Sequence, residues 1–87
     1  MDTQTIKFYG TTWCGDCRRA KAVFAEMGIP YLWIDIDQNP QAAEFVKQTN
    51  HGMRSVPTII FPDGSILVEP DSENLRAKLR NFQPKWS

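Results

Sequence analysis

Apolar and polar residues follow two different periods in the first half of the chain. The β-rich segments 5–9 (TIKFY) and 31–37 (YLWIDID) each predict a strand. Between them, apolar residues recur at every third or fourth position, which predicts a helix whose end is marked by Gly28. The apolar face of that helix consists of Cys17, Ala20, Phe24 and Met27. The pattern therefore predicts a β-α-β unit with two parallel strands.

The second half continues with a helix and a strand pair. Asn39 followed by Pro40 is typical of a helix start. Segment 56–61 (VPTIIF) predicts a strand with its proline at the beginning. The turn 62–65 (PDGS) joins it to a strand at 66–68 (ILV), which predicts a hairpin. The predicted buried stripe of the helix is Ala42, Phe45, Val46 and Thr49.

A last helix completes the predicted fold. Either Asp71 or Ser72 caps this helix. Its apolar contacts come from Leu75, Leu79 and Phe82. The complete order is β-α-β-α-β-β-α. Because the hairpin is antiparallel whereas the first two strands are parallel, the sequence predicts an α/β fold with a four-stranded mixed sheet.

Composition narrows the range of functions. Ten basic residues balance ten acidic ones, so charge gives no reason to expect binding to nucleic acid or to an anionic membrane. The apolar runs are far shorter than the roughly twenty residues of a membrane span, and the start lacks the layout of a secretory signal. We expect a cytoplasmic monomer with one domain over 1–87, a core at about 5–80 and a loose tail at 81–87 that includes Trp86.

Cys14 and Cys17 are the two cysteines of the chain and lie at the predicted start of the first helix. Reducing cytosol does not sustain ordinary structural disulfides, so a close pair there is typical of catalysis or metal binding. Unpaired N–H groups and the helix dipole favour a Cys14 thiolate, the nucleophilic form. Cys17 lies one turn further on the core side, within reach of Cys14 but shielded from solvent. Thiol–disulfide exchange uses this combination of an exposed attacking thiol and a buried resolving thiol.

Residues beside the pair should adjust its reactivity. Trp13 is expected to form an apolar wall next to Cys14. The Asp16 carboxylate disfavours the thiolate through like-charge repulsion, and Arg18 or Arg19 can offset that repulsion. We therefore expect Asp16 and Arg18 to tune the thiolate population.

Other uses of the cysteines remain open from the residues alone. A zinc site needs about four ligands, whereas the chain offers two cysteines and His51, a residue typical of a helix end. An iron–sulfur or metal carrier is the non-enzymatic alternative, and no metal ligands are assigned. Asp35 and Asp37 alternate with apolar residues, which indicates a solvated strand face, with a proton acceptor for Cys17 as the alternative role.

Several segments together are similar to a known family. The motifs "WCGDC" (13–17) and "SVPT" (55–58), in this order of strands and helices, resemble the thioredoxin superfamily. The short length is similar to its glutaredoxin branch. Within that branch, "YGTTWCGDC", "AAEFV" and "RSVPTIIFPDGS" are most similar to mycoredoxins, the glutaredoxin-like proteins of mycothiol-using bacteria. The resemblance covers about 5–79 and implies the thioredoxin/glutaredoxin fold.

The resemblance implies roles for individual residues. Cys14 matches the nucleophile of the family, and Cys17 matches its resolving cysteine. Pro57 matches a proline whose peptide bond is cis, and the preceding Val56 would offer its backbone to an extended substrate. Arg54 aligns with a polar or basic residue near the carboxylates of the substrate.

The chain departs from glutathione-using members at two places. Those members usually have a lysine where Thr11 stands and a Gly-Gly pair where 68–72 (VEPDS) stands. The lysine attracts one carboxylate of glutathione, and the second glycine allows close approach at the γ-glutamyl end. The joint absence of both features implies a different small thiol at a binding site that includes Thr11, with mycothiol favoured.

We therefore predict a mycoredoxin-type thiol–disulfide oxidoreductase that reduces mixed disulfides between proteins and a low-molecular-weight thiol. The resemblance implies no bound cofactor. The small thiol is a co-substrate, and electrons come from an NADPH-dependent reductase system. The enzymatic alternative is a redoxin that thioredoxin reductase reduces directly and that donates electrons to ribonucleotide reductase or a peroxidase.

Overall fold

Four strands form one mixed sheet in the computed structural model, which describes residues 5–82. The strands are β1 (Lys7–Gly10), β2 (Leu32–Asp35), β3 (Thr58–Ile60) and β4 (Ile66–Val68). They lie in the order β2-β1-β3-β4. β1 pairs in parallel with β2 and antiparallel with β3, and β3 pairs antiparallel with β4. The predicted four-stranded mixed sheet is confirmed.

Three helices and a short 3-10 helix connect and follow the strands. They are α1 (Gly15–Met27), α2 (Pro40–Thr49), α3 (Ser72–Leu79) and a 3-10 helix at Arg80–Phe82. Gly28 ends α1 with a φ of 69°, a left-handed conformation that costs glycine little. Among residues 5–82, no helix is both long enough and apolar enough to cross a membrane.

Side chains that accept hydrogen bonds from backbone N–H groups mark the starts of α2 and α3. Asn39 accepts from the N–H of Ala42 at 3.0 Å and caps α2. Asp71, rather than Ser72, caps α3 by accepting from the N–H of Asn74 at 2.7 Å. The predicted boundaries follow from these caps because each one satisfies a donor that the helix itself leaves free.

The two faces of the sheet carry separate apolar clusters. Phe8 and Ile59 point to one face, where they pack against α1 and α3. Tyr9 points to the opposite face, where Ala42 and Val46 of α2 cover it. This alternation is the ordinary period of a strand. It places α1, and with it both cysteines, on the α3 side of the sheet.

Three positions of the predicted buried stripes are less buried than expected. Phe45 of α2 is 40% exposed and rests its ring 5.2 Å from that of Tyr9, at the edge of the covered region. Met27 and Thr49 are half-buried, because each lies at the last turn of its helix, beyond the sheet contact. Helical period alone therefore overestimated the width of both buried faces.

The segment 81–87 was predicted to be a loose tail, but its first two residues are helical. Residues 81 and 82 belong to the 3-10 helix that follows α3. The ring of Phe82 lies 5.2 Å from that of Phe61, so the predicted apolar contact of Phe82 is confirmed. Residues 83–87, including Trp86, lie outside the described part of the chain.

Gly10 occupies the point where β1 approaches α1 most closely. A Cβ at this position would lie 2.7 Å from Cys17 Sγ and 2.9 Å from two ring carbons of Trp33. Both neighbours belong to the core or pack against it. Gly10 therefore lets the first turn of α1 rest directly on the end of the strand.

Replacing Gly10 by alanine should destabilise the fold. Overpacking of a filled core typically costs about 1–3 kcal/mol, and we expect a loss of this size for Gly10→Ala in urea unfolding of the reduced protein. Gly15→Ala is the matched control, because a Cβ there would meet only Arg19 Nη1, at 3.8 Å. Equal unfolding midpoints for Gly10→Ala and the native chain would contradict the close-contact interpretation.

Candidate functional site: a dithiol at the start of α1

Cys14 is the N-cap of α1, so its sulfur lies where the helix leaves N–H groups free. Its backbone is extended, and its Sγ accepts from the N–H of Cys17 at 3.3 Å. The same sulfur lies 3.9 Å from the carbonyl oxygen of Val56. Cys14 is half-buried and carries a free thiol. A thiolate at this position would accept the N–H bond with its negative charge at the positive end of the helix.

Cys17 is the inner thiol of the pair and is 1% exposed. Burial raises the pKa of Cys17 to about 12, and the neighbouring Cys14 also raises it. The backbone N–H of Thr11, which hydrogen-bonds the sulfur, and the Lys21 ammonium act in the opposite direction. At neutral pH Cys17 is therefore protonated and can act as a nucleophile only after losing a proton.

Lys21 and Trp33 form a support behind the inner thiol that sequence reasoning missed. The Lys21 ammonium lies 3.6 Å from the centroid of the Trp33 ring, a cation–π contact. Trp33 packs edge-on against Phe8, with the ring centroids 5.1 Å apart, and is only partly buried against the core. The support places a cation, rather than a carboxylate proton acceptor, next to Cys17.

Pro57 follows a cis peptide bond after Val56, as the family resemblance implies. The Pro57 carbonyl accepts from the N–H of Glu69 at 2.8 Å, so the loop before β3 is tied to the loop after β4. Thr58, the first residue of β3, donates its hydroxyl to the Ser55 carbonyl at 2.7 Å. These bonds hold the Val56 backbone beside Cys14.

Asp37 connects the loop after β1, which carries Trp13, to the loop before β3, which carries Arg54. Its Oδ2 accepts from Trp13 Nε1 at 2.8 Å, and its Oδ1 accepts from Arg54 Nη2 at 2.8 Å. Arg54, followed by Trp13, holds the pKa of the Asp37 carboxyl below its usual range. Trp13 itself is 66% exposed and stands beside the thiol. Arg54, predicted as a substrate contact, thus already has a carboxylate partner.

Asp37 is the site residue that sequence reasoning left among solvated strand positions. A usable signal was present, because β1 and β2 are parallel and their C-terminal ends lie at the same edge of the sheet. Trp13 follows β1 and Asp37 follows β2, so the topology brings the two loops together. Asp37 is exposed and bonds Trp13 and Arg54 rather than Cys17.

A cavity of about 280 Å³ lies between the start of α1 and the loop before α3. Asp16 pairs there with Arg19, one of the two arginines expected to offset its charge. Arg18 is exposed on α1. Glu69 has a φ of 50°, a left-handed conformation unusual for a residue with a side chain. The lining is Asp16, Arg19, Ala20, Glu69, Pro70, Asp71, Ser72 and Leu75.

Thr11 occupies a different environment from that of a surface binding residue. It is 2% exposed, and its Oγ1 has no hydrogen-bond partner within residues 5–82. Its N–H faces Cys17. Thr11 therefore contacts the inner thiol through its backbone N–H, and its side chain is buried rather than available to a ligand at the surface.

Comparison with known proteins agrees with this geometry. The family model described as Glutaredoxin matches residues 6–67. The protein named "Putative glutaredoxin Rv3198A" from Mycobacterium tuberculosis is 44% identical over 79 residues, 91% of this chain and 94% of that protein. Mycoredoxin 1 of Corynebacterium glutamicum is 36% identical over 74 residues, 85% of this chain and 91% of that protein.

Solved structures show the same fold. The crystal structure of a glutaredoxin from Archaeoglobus fulgidus has a TM-score of 0.74 at 23% identity and covers 88% of this chain and 87% of that one. The thioredoxin-like protein BC3987 has a TM-score of 0.72 at 20% identity and covers 84% and 97% of the two chains. Given the match of the family model and the two bacterial relatives, the chain belongs to the glutaredoxin family of thiol oxidoreductases.

Proposed function

We propose that this protein reduces mixed disulfides between proteins and a low-molecular-weight thiol, with Cys14 as nucleophile and Cys17 as resolving thiol. The observation that carries the proposal is the asymmetry of the pair. Cys14 is half-buried at the helix cap and accepts an N–H bond, whereas Cys17 is buried and has a pKa of about 12. The two thiols are therefore suited to different steps.

The proposed cycle begins when the Cys14 thiolate attacks the small-thiol sulfur of the mixed disulfide. A new Cys14–small-thiol disulfide forms, the old disulfide breaks, and the protein thiolate leaves and takes up a proton. A second small thiol then attacks the adduct, which frees Cys14 and yields a small-molecule disulfide. An NADPH-dependent reductase system reduces that disulfide. Alternatively, Cys17 displaces the small thiol and forms a disulfide with Cys14.

The charges around the thiol support an uncharged partner such as mycothiol as the co-substrate. Asp16, Glu69 and Asp71 contribute carboxylates to the cavity at the start of α1, whose lining begins two residues after Cys14, and Arg19 is paired with Asp16. A carboxylate of glutathione entering this cavity would meet like charge. The similarity to a protein named Mycoredoxin 1 supports the same choice. In this scheme the protein keeps no resident cofactor, because the small thiol enters and leaves in each cycle.

Serine variants test the order of attack. Cys14→Ser should abolish reduction of a peptide mixed disulfide, because the attacking sulfur is lost. Cys17→Ser should instead accumulate the Cys14 adduct, visible by intact mass, and keep turnover wherever a second small thiol resolves it. Faster alkylation of Cys17 than of Cys14 at neutral pH would reverse the assignment of the two roles.

A panel of reducing systems tests the choice of co-substrate. We expect turnover with a mycothiol system to exceed turnover with an equal concentration of glutathione by about tenfold, the effect of one missing charge-assisted contact. Bacillithiol and thioredoxin-reductase systems complete the panel. Equal or better turnover with glutathione would contradict the mycothiol proposal, and turnover confined to thioredoxin reductase would favour the redoxin alternative. Bound iron in a coloured protein would favour the carrier alternative.

The pH dependence of resolution tests the role of the Cys17 environment. Burial raises the pKa of Cys17, and this cause persists when Cys14 is bound in a mixed disulfide. The thiolate fraction, and with it the rate of resolution by Cys17, should rise about tenfold per pH unit between pH 6 and 9. The measurement is release of a chromogenic thiol from the preformed Cys14 adduct, with Cys17→Ser as the blank. A plateau near pH 7 would contradict the prediction.

A further inference from the structure

We propose that Asp37 determines thiol specificity: by pairing with Arg54 beside the reactive thiol, it makes the site favour an uncharged small thiol over one that carries carboxylates. This inference rests on the proposed function and identifies a residue that would enforce its choice of co-substrate.

Asp37 belongs to a closed ring of contacts around Cys14. Trp13 precedes Cys14 in the chain and donates its indole N–H to Asp37. Asp37 binds Arg54, which lies two residues before Val56. The carbonyl oxygen of Val56 lies 3.9 Å from Cys14 Sγ, which closes the ring. Arg54 is therefore a cation at the edge of the surface that a small thiol must approach.

The pair leaves little free positive charge at this edge. Arg54 and Asp37 lie 2.8 Å apart, and their side chains are 46% and 34% exposed. Arg54 holds the pKa of the Asp37 carboxyl low, so the pair stays ionised throughout the neutral range. On the opposite side of the site, Arg19 is paired with Asp16 in the same way. A ligand carboxylate would have to compete with Asp37 for Arg54.

The Asp37–Arg54 pair should contribute little to the stability of the fold. Exposed ion pairs contribute little to folding, since water and salt screen them. The core clusters are formed by other residues. The effect of Asp37 should therefore appear in the choice between charged and neutral ligands.

The test compares two mixed disulfides of one peptide, one with glutathione and one with 2-mercaptoethanol, which is uncharged. The reduced protein attacks each in a single turnover, and release of the peptide thiol is followed. Asp37→Asn frees Arg54 while keeping the size of the side chain. We expect the ratio of the glutathione rate constant to the 2-mercaptoethanol rate constant to rise about fivefold at low salt and to fall back in 0.5 M NaCl.

Two further variants separate the cation from other causes. Adding Arg54→Gln to Asp37→Asn should return the ratio to the native value, because no cation is left to free. Glu44→Gln removes an exposed carboxylate on α2 and is the matched charge control, also with a native ratio.

Specific outcomes would overturn the inference. An unchanged ratio in Asp37→Asn would show that the pairing of Arg54 does not affect selectivity. A raised ratio that persists in the double variant would assign the effect to direct repulsion by Asp37. If the native protein attacks neither disulfide, the proposed function itself fails, which this comparison distinguishes from a failure of the inference.

Discussion

The contact between the end of β1 and the first turn of α1 determines how the dithiol is built. Gly10 leaves room for Cys17 Sγ and the Trp33 ring in the space that a methyl group would fill. Because α1 lies this close to the strand, the side chain of its third residue, Cys17, is buried, and burial raises the pKa of that thiol. The same placement brings Cys14, one turn earlier, to the helix cap at the surface. Two chemically identical side chains thereby acquire different reactivities from their positions on one helical turn.

Loops from three other parts of the chain complete the surroundings of Cys14. The loop before β3 brings Val56, the loop after β2 brings Asp37, and the loop after β4 holds the loop before β3 through the bond from Glu69 to Pro57. All three lie at one end of the sheet, the end at which β1 and β2 both finish. Scaffold and site are thus separable in physical terms. The sheet and α1 determine how deeply each thiol is buried, and the loops supply charged side chains, Asp37 and Arg54, around Cys14.

Sequence reasoning predicted what depends on local pattern. The order of elements along the chain, the helix cap at Asn39 and the hairpin were recoverable, and the cap of α3 was narrowed to Asp71 or Ser72, because each follows from neighbours within a few residues. The cis bond before Pro57 was recoverable from the family resemblance. The sequence also drew attention to Cys14 and Cys17 as a pair. Phe45 was misjudged because helical period does not show where the sheet beneath the helix ends.

The parallel pairing of β1 and β2 indicates which loops meet, but the side-chain partners within those loops were beyond that reasoning. Arg54 and Asp37 are 17 positions apart, and Asp37 and Trp13 are 24 apart, so their pairing depends on the assembled sheet. Thr11 was predicted to lie in the binding site because glutathione-using members of the family have a lysine at this position. It is buried because the chain after Gly10 passes beneath the sulfur of Cys17 before α1 begins. The partners of these side chains can be identified only from the tertiary structure, whereas the helices and strands follow from local sequence.

The backbone of Glu69 has a consequence for engineering. A residue with a side chain in the left-handed region costs about 1 kcal/mol relative to glycine, and here the N–H bond to the Pro57 carbonyl accompanies that conformation. Standard thermostabilisation would place glycine or asparagine at such a position. The same exchange would remove a carboxylate from the cavity at the start of α1. One substitution at Glu69 would therefore change both the stability of the fold and the charge of the cavity. On the proposed function, a thermostabilised variant at this position would need its substrate range measured again.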